Sequence, residues 1–285
     1  MDVFDGRRCE LGEGALWHPI RGQLFWFDIS GRALLSREGD EAKRWDFESC
    51  VSAAGWIDRD HLLVASETGL WRLALSTGHR EHVSPLDCSG GRLRPNDGRA
   101  DPWGGFWIST MGRNAEDRAG SIWRLWRGEM RLLFPGLTIP NAICFDRERE
   151  VAYLADTAQG IVWRQALDPA SGWPRGEPEV FLELARSGLN PDGAIVDAAG
   201  RFWNAQWGAS RVACYDANGA FLGEEKFEAR QLSCPAFGGL NLDILHVTSA
   251  QHGMDEKTRR GEPFAGMTFA RRIQSRGVPE PAVIP

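Results

Sequence analysis

Short apolar runs, separated by turns rich in Gly, Asp and Asn, recur along almost the whole 285-residue chain, and no stretch carries a sustained helical period. The runs come in pairs. Leu24–Ile29 is followed by Ala33–Ser36, His61–Ala65 by Gly69–Leu73, and Gly105–Ser109 by Gly120–Leu125. Val151–Ala155 is followed by Gly160–Arg164, Gly200–Asn204 by Arg211–Tyr215, and Leu242–Thr248, after a longer insertion, by Ala265–Phe269. A further apolar segment precedes each pair, and these align on an Asp or His that follows a common slot: Glu13 before His18, Ala53 before Asp58, Asn96 before Asp101, Asn141 before Asp146 and Asp192 before Asp197. Pro235 is a looser sixth member.

The repeat interval, about 40 to 51 residues, suits a four-stranded propeller blade, and six groups predict a six-bladed all-β propeller occupying residues 1–285 as one domain. An irregular pair of β-sandwiches is the competing architecture. The array lacks the Gly-His and Trp-Asp signature of WD40 repeats. Val3 to Leu11 stands outside the repeat and is expected to close the ring by pairing with the last blade.

Composition narrows the partners. The formal charge is -6 with both signs interspersed, so no basic patch exists to track phosphates, and nucleic acid is not an expected partner. No segment approaches the roughly 18 apolar residues of a membrane span, and the first eight residues lack the apolar core of a signal peptide. A cytoplasmic protein follows as the expectation, with its six dispersed cysteines reduced and mostly buried. A closed propeller has no exposed edge that needs a partner, so a monomer is expected. Thirteen tryptophans include Trp26, Trp71, Trp107, Trp123, Trp163 and Trp203 inside the strand-like runs, where they are expected to be core.

The repeat also organises the chemistry. The first strand of a propeller blade lines the central channel, so a slot just ahead of it in every blade converges on one mouth. Four slots hold Glu13, Asn96, Asn141 and Asp192. Asn and Asp favour turns for local reasons, yet turn preference accounts neither for the glutamate nor for the convergence. Two carboxylates and two amides gathered without water repel unless a cation joins them. All-oxygen donors suit Ca²⁺, Mg²⁺ or Mn²⁺, with zinc or iron(II) where the cell supplies it.

At these residues the chain resembles the senescence-marker-protein/gluconolactonase family, six-bladed propellers that include regucalcin and bacterial sugar lactonases. The resemblance spans nearly the full length and rests on Leu11-Gly12-Glu13-Gly14-Ala15-Leu16-Trp17, Arg94-Pro95-Asn96-Asp97-Gly98, Phe106–Met111, Pro140-Asn141, Pro191-Asp192-Gly193, Trp203–Gly208 and Phe237-Gly238-Gly239. It implies that Glu13, Asn141 and Asp192 bind one divalent metal ion and that Arg94 and Asn96 hold substrate oxygens. Two departures stand out. Ala142 follows Asn141 where the family usually has glycine, and Gly112-Arg113-Asn114-Ala115-Glu116 occupies a loop where some relatives carry a substrate-contacting glutamate.

The activity implied is metal-dependent hydrolysis of an aldonolactone, a small-molecule sugar lactone, to its aldonic acid. Asp192 is the candidate proton acceptor for the attacking water, while Arg94, whose guanidinium stays protonated, orients the substrate. The alternatives are a non-catalytic calcium-binding scaffold and a propeller hydrolysing aryl esters or organophosphates, whose pocket would be chiefly apolar. No Gly-x-Ser-x-Gly or His-Glu-x-x-His motif points to other hydrolytic chemistry. His18 is expected to make a turn hydrogen bond, and His246 and His252 receive no role.

Overall fold

The computed structural model describes residues 2–285. Its strands form six four-stranded antiparallel sheets. Blades I to V each run in chain order from the inside outward, starting with Gly12–His18, Val51–Asp58, Leu93–Ala100, Pro140–Asp146 and Asn190–Val196. Blade VI starts at Leu232–Gly238, continues through Ile244–Ser249 and Thr268–Arg272, and takes its outermost strand, Val3–Asp5, from the other end of the chain. The six innermost strands touch one another in sequence and the last touches the first, so the ring is closed as expected.

Each sheet is buried on both faces, which is why its strands read as near-continuous apolar runs rather than as strict alternation. Neighbouring side chains on one strand point into different inter-blade layers. In blade IV, Ala142 and Cys144 pack towards blade V while Ile143 and Phe145 pack towards blade III. In blade III, Phe106 and Ile108 pack on blade II and Trp107 on blade IV. The core is thus six wedges between adjacent blades, each filled from two sheets, and a wholly buried Phe or Leu in one of them stabilises by about 1.5–3 kcal/mol. Trp26, Trp107 and Trp203 belong to these wedges, but Trp71, Trp123 and Trp163 lie on third strands nearer the rim and are only half-buried.

The Asp that anchors the repeat is a structural element. Asp101 accepts from the backbone N–H groups of Trp103 (2.8 Å) and Gly105 (3.0 Å), and Asp197 from those of Ala199 (2.9 Å) and Arg201 (3.0 Å), closing the hairpin that follows each innermost strand. His18 does the same in blade I, accepting weakly from Arg21 N (3.4 Å), while its other ring nitrogen meets the Asp58 carbonyl at 2.9 Å. The long insertion in blade VI holds a six-residue helix, Glu256–Gly261, capped by Asp255. Among the described residues no helix is long and apolar enough to cross a membrane. All six cysteines are free, and all but the half-buried Cys50 are buried.

After its last strand the chain does not leave the ring. The segment from Ser275 crosses the face where the innermost strands end, with hydrogen bonds from Ala198 N to Arg276 O (2.8 Å), from the Trp56 indole to Glu280 O (2.8 Å) and from Ile284 N to Gly104 O (2.8 Å). Val283, 2% exposed, completes the wedge between blades II and III.

Closure through Val3–Asp5 is reinforced by the Asp2–Arg271 ion pair (2.5 Å) and by the Phe4 ring, which stands edge-on to Trp26 and His246. A chain lacking residues 1–5 should therefore melt several degrees lower and self-associate through the exposed edge of Thr268–Arg272. Calorimetry and size-exclusion chromatography measure both effects, and an unchanged melt would contradict this role for the strand.

Candidate metal centre

Every innermost strand carries a β-bulge near its start. The bulges place the slot residues. Glu13 and Asn141 are the last paired residues before the bulge, opposite Phe27 and Ala155, whereas Asn96 and Asp192 are the first residues inside it, after Pro95 opposite Thr110 and Pro191 opposite Gln206. The four positions are therefore not strictly equivalent, as the aligned sequence implied, but are offset by one residue between blades I and IV and blades III and V. A bulge re-aims side chains, which allows residues of different register to face one channel. In blades II and VI, Ala53 and Pro235 fall just beyond the bulge and bring no oxygen side chain.

The backbone after the two pre-bulge residues is left-handed, with φ 58° at both Gly14 and Ala142. A Cβ at Gly14 would lie 2.2 Å from the Ser52 carbonyl oxygen, so only glycine fits there. Ala142 takes the same conformation with a methyl group, at a cost of about 1 kcal/mol. The departure from glycine noted in the sequence thus leaves the turn intact.

Side-chain polarity fixes the amide orientations. A guanidinium only donates, and Arg94 Nη1 reaches Asn96 Oδ1 at 2.7 Å. Asn96 must then turn its Nδ2 to Asn141 Oδ1 (2.8 Å) and to the Pro140 carbonyl (3.0 Å). Asn141 in turn donates from Nδ2 to Thr157 Oγ1 (2.8 Å), which donates to the Pro191 carbonyl (2.6 Å), one residue from Asp192. The chain from Arg94 leaves a lone pair of Asn141 Oδ1 free to accept and occupies the oxygen of Asn96. Asn96 is therefore a donor and a bridge to Arg94 here, which separates it from Glu13, Asn141 and Asp192.

Glu13 and Asp192 are 8% and 5% exposed, and among the described residues neither has a guanidinium or ammonium group within ion-pair distance. Burial and the neighbouring Asp97 carboxylate push Glu13 up to about 8, against the opposing pull of the Gly14 N–H and Arg94. Burial, then Glu13 and Asp97, raise Asp192 well above the carboxylate range. Asp97 is itself raised by burial, although Ile143 N donates to its Oδ2 at 2.7 Å.

Below this cluster lies a basic group that the sequence did not single out. Arg99 spans the channel, donating to the carbonyls of Ile143 (3.2 Å), Ala194 (3.2 Å) and Pro235 (3.5 Å) in three successive blades. Its remaining arm pairs with Glu280, delivered by the C-terminal segment. Arg99 thus grips the backbone two residues past both Asn141 and Asp192. The set comprises the buried carboxylates Glu13, Asp97, Asp192 and Glu280 against the buried Arg99 and the half-buried Arg94, a net excess of two negative charges when all are ionised. A divalent cation would balance that charge. Among the described residues no group of three His, Cys, Asp or Glu side chains is poised to hold a metal; the donors here are two carboxylates and an amide oxygen, chemistry that suits a hard cation.

The Gly112–Glu116 loop and the two unassigned histidines add no group to this cluster. Glu116 folds back on its own loop, accepting from Asn114 N (3.1 Å) and Asn114 Nδ2 (3.0 Å), and the neighbouring Arg113 pairs with Glu67 at 2.7 Å. His246 stacks on Trp17 and burial lowers its pKa to about 4, while His252 is exposed with its carbonyl accepting from Gln231. A cavity of about 450 Å³ lies at the opposite end of the channel, between blades III to V and the C-terminal segment, and does not include the carboxylate cluster.

The family model described as the SMP-30/Gluconolactonase/LRE-like region matches residues 11–251. The chain belongs to this family. Among family relatives, a putative sugar lactone lactonase of Rhizobium meliloti is 39% identical, the match covering 98% of this chain and 97% of that one. A pentonolactonase of Haloferax volcanii is 35% identical, over 95% and 94% of the two chains. The crystal structure of a calcium-binding protein, regucalcin, from Agrobacterium tumefaciens superposes with a TM-score of 0.97 at 34% identity, covering 100% of this chain and 97% of that one.

The raised carboxyls define a pH signature for the chelated family member. A buried acid whose folded pKa lies above its unfolded value contributes stability that is present below about pH 4.5 and is lost as pH rises through about 8. In EDTA, the melting temperature of the wild-type chain relative to Glu13→Gln should therefore fall between pH 5 and about 8, and a divalent cation should remove the difference. Parallel pH profiles of the two chains would contradict the assignment.

Proposed function

We propose that the protein is a divalent-metal-dependent sugar lactonase that opens a pentono- or hexonolactone to the corresponding aldonic acid. The observation that carries this reading is the buried excess of negative charge at Glu13 and Asp192, set beside a chain of polar groups from Arg94 through Asn96 to Asn141. The lactonases among the relatives support the reaction class, and the calcium-binding relative supports the cation.

Glu13, Asn141 and Asp192 would hold the ion. When bound, it supplies Lewis acidity to the lactone carbonyl and its developing oxyanion, an effect of several kcal/mol. The remaining work belongs to this chain's side chains. Arg94, half-buried and anchored to Asn96 and the Pro95 carbonyl (3.0 Å), presents its other guanidinium donors to the hydroxyl and ring oxygens of the substrate. The Asn96 amide keeps that guanidinium in register with Asn141.

Water adds to the carbonyl carbon and gives its proton to Asp192, a role that competes with ion binding because a bound cation makes its carboxylate ligand a weaker base. Collapse of the tetrahedral intermediate breaks the bond to the ring oxygen. That oxygen leaves as a hydroxyl by taking back the proton held on Asp192, and the former carbonyl becomes the carboxylic acid at the other end of the opened chain. Polar side chains at Arg94, Asn96, Asn141 and Thr157 suit a polyhydroxylated ligand better than an aryl ester.

A pH-stat assay over a panel of pentono- and hexonolactones, with EDTA and add-back of Ca²⁺, Mn²⁺, Mg²⁺, Zn²⁺ or Fe²⁺, tests the reading. Turnover should vanish with chelator and return with at least one ion. Glu13→Gln and Asp192→Asn should each lower kcat by about 100-fold or more, since each removes a group that acts on the reacting centre. Arg94→Met should act mainly on KM. Cation binding without acceleration of any lactone would favour a non-catalytic calcium-binding propeller instead.

A further inference from the structure

We infer that Glu280 is a positioning residue for the cation site, acting through Arg99: the C-terminal segment, from the far end of the channel, sets how tightly the divalent ion is held. The inference rests on the metal-dependent reading above but concerns a residue that this reading does not use.

Three observations carry it. Glu280 and Arg99 form an ion pair whose side chains are 6% and 8% exposed, on the wall of the cavity at the far end of the channel, so screening by bulk water is limited. Arg99 binds the carbonyls of Ile143 and Ala194, each two residues beyond a candidate ion ligand, and the N–H of the same Ile143 binds Asp97. Asp97, itself buried, acts electrostatically on both Glu13 and Asp192. The segment that delivers Glu280 is pinned on both sides, by the Trp56 indole to the Glu280 carbonyl (2.8 Å) and by Val283 N to the Trp56 carbonyl (2.8 Å). Its backbone is therefore held in place by the fold independently of the ion pair.

The charge balance gives the consequence. With Glu280 ionised, Arg99 is neutralised and the two excess negative charges are available to a cation. Without it, an uncompensated guanidinium stands under the site, and the excess falls from two charges to one. Like charges in a medium of low dielectric act over several ångströms, so the ion above should feel the change.

The test measures ion binding, independently of turnover. Isothermal titration of Mn²⁺ and of Ca²⁺ into the chelator-stripped full-length chain should show Glu280→Gln binding at least about tenfold more weakly than wild type, because an isosteric amide removes the charge and keeps an acceptor for Arg99. Glu280→Asp, which keeps the charge with a shorter reach, should stay within about threefold of wild type. A role in packing alone would weaken the Asp chain at least as much as the Gln chain. If Glu280→Gln does not melt cooperatively, the double variant Arg99→Gln/Glu280→Gln, which removes the stranded charge, should restore folding and bind within about tenfold of wild type. Wild-type affinity in Glu280→Gln, equal weakening in the Asp chain, or no binding by the folded double variant would overturn the inference while leaving the proposed function standing. No binding by the wild-type chain would overturn both.

Discussion

Carboxylates gathered in a narrow channel repel one another and lose much of their hydration, and much of the centre of this molecule is arranged around that conflict. Glu13, Asp97 and Asp192 meet where six innermost strands converge, each less than a tenth exposed. Arg99 offsets part of the charge and at the same time satisfies three backbone carbonyls that face the channel. Glu280 then neutralises Arg99. Two units of negative charge are left over, on the side of the cluster that opens to Arg94 and the polar mouth. Fold and site are hard to separate here, because the same guanidinium that ties blades IV, V and VI together also borders the acidic cluster.

A propeller suits such a site because the ring supplies rigidity from its wedges, leaving the innermost strand starts free to depart from regular pairing. Every one of them does. The bulges let Glu13 and Asn141, before the irregularity, share a channel with Asn96 and Asp192, within it. The cost is local strain at Ala142, and at Gly14 a position where no side chain fits. Both lie in the interior, where packing from two sheets holds an unfavourable backbone in place.

Much of this was legible in the sequence. Period and turn chemistry give six blades, and the Asp that closes each hairpin is strong enough to align the blades and so to find Glu13, Asn96, Asn141 and Asp192. Ring closure by Val3–Asp5 followed from its being left over. What the sequence hid has physical reasons. The one-residue offset between blades is a property of hydrogen-bond register, which an alignment on Asp101 or Asp146 cannot carry. Arg99 looked like any strand arginine, since only the closed ring turns it inward. Glu280 stands in a Val278-Pro279-Glu280-Pro281 stretch with no period, and nothing local ties it to a residue 181 positions earlier. The rim tryptophans Trp71, Trp123 and Trp163 read as core because half-burial on a third strand and full burial on a second leave the same apolar run.

The shared last blade also bears on how the molecule is made. Val3–Asp5 is translated long before its partner Thr268–Arg272 emerges from the ribosome, and Glu280 comes later still. Blades I to V can form as local antiparallel sheets while synthesis proceeds, because each draws its strands from one continuous stretch. Until Thr268–Arg272 and Glu280 arrive, the growing chain is an open arc with Val3–Asp5 unpaired and Arg99 without its counter-ion. The acidic cluster is thus complete in covalent terms long before the architecture that confines it exists, and ring closure and channel sealing both wait on the same late stretch of chain.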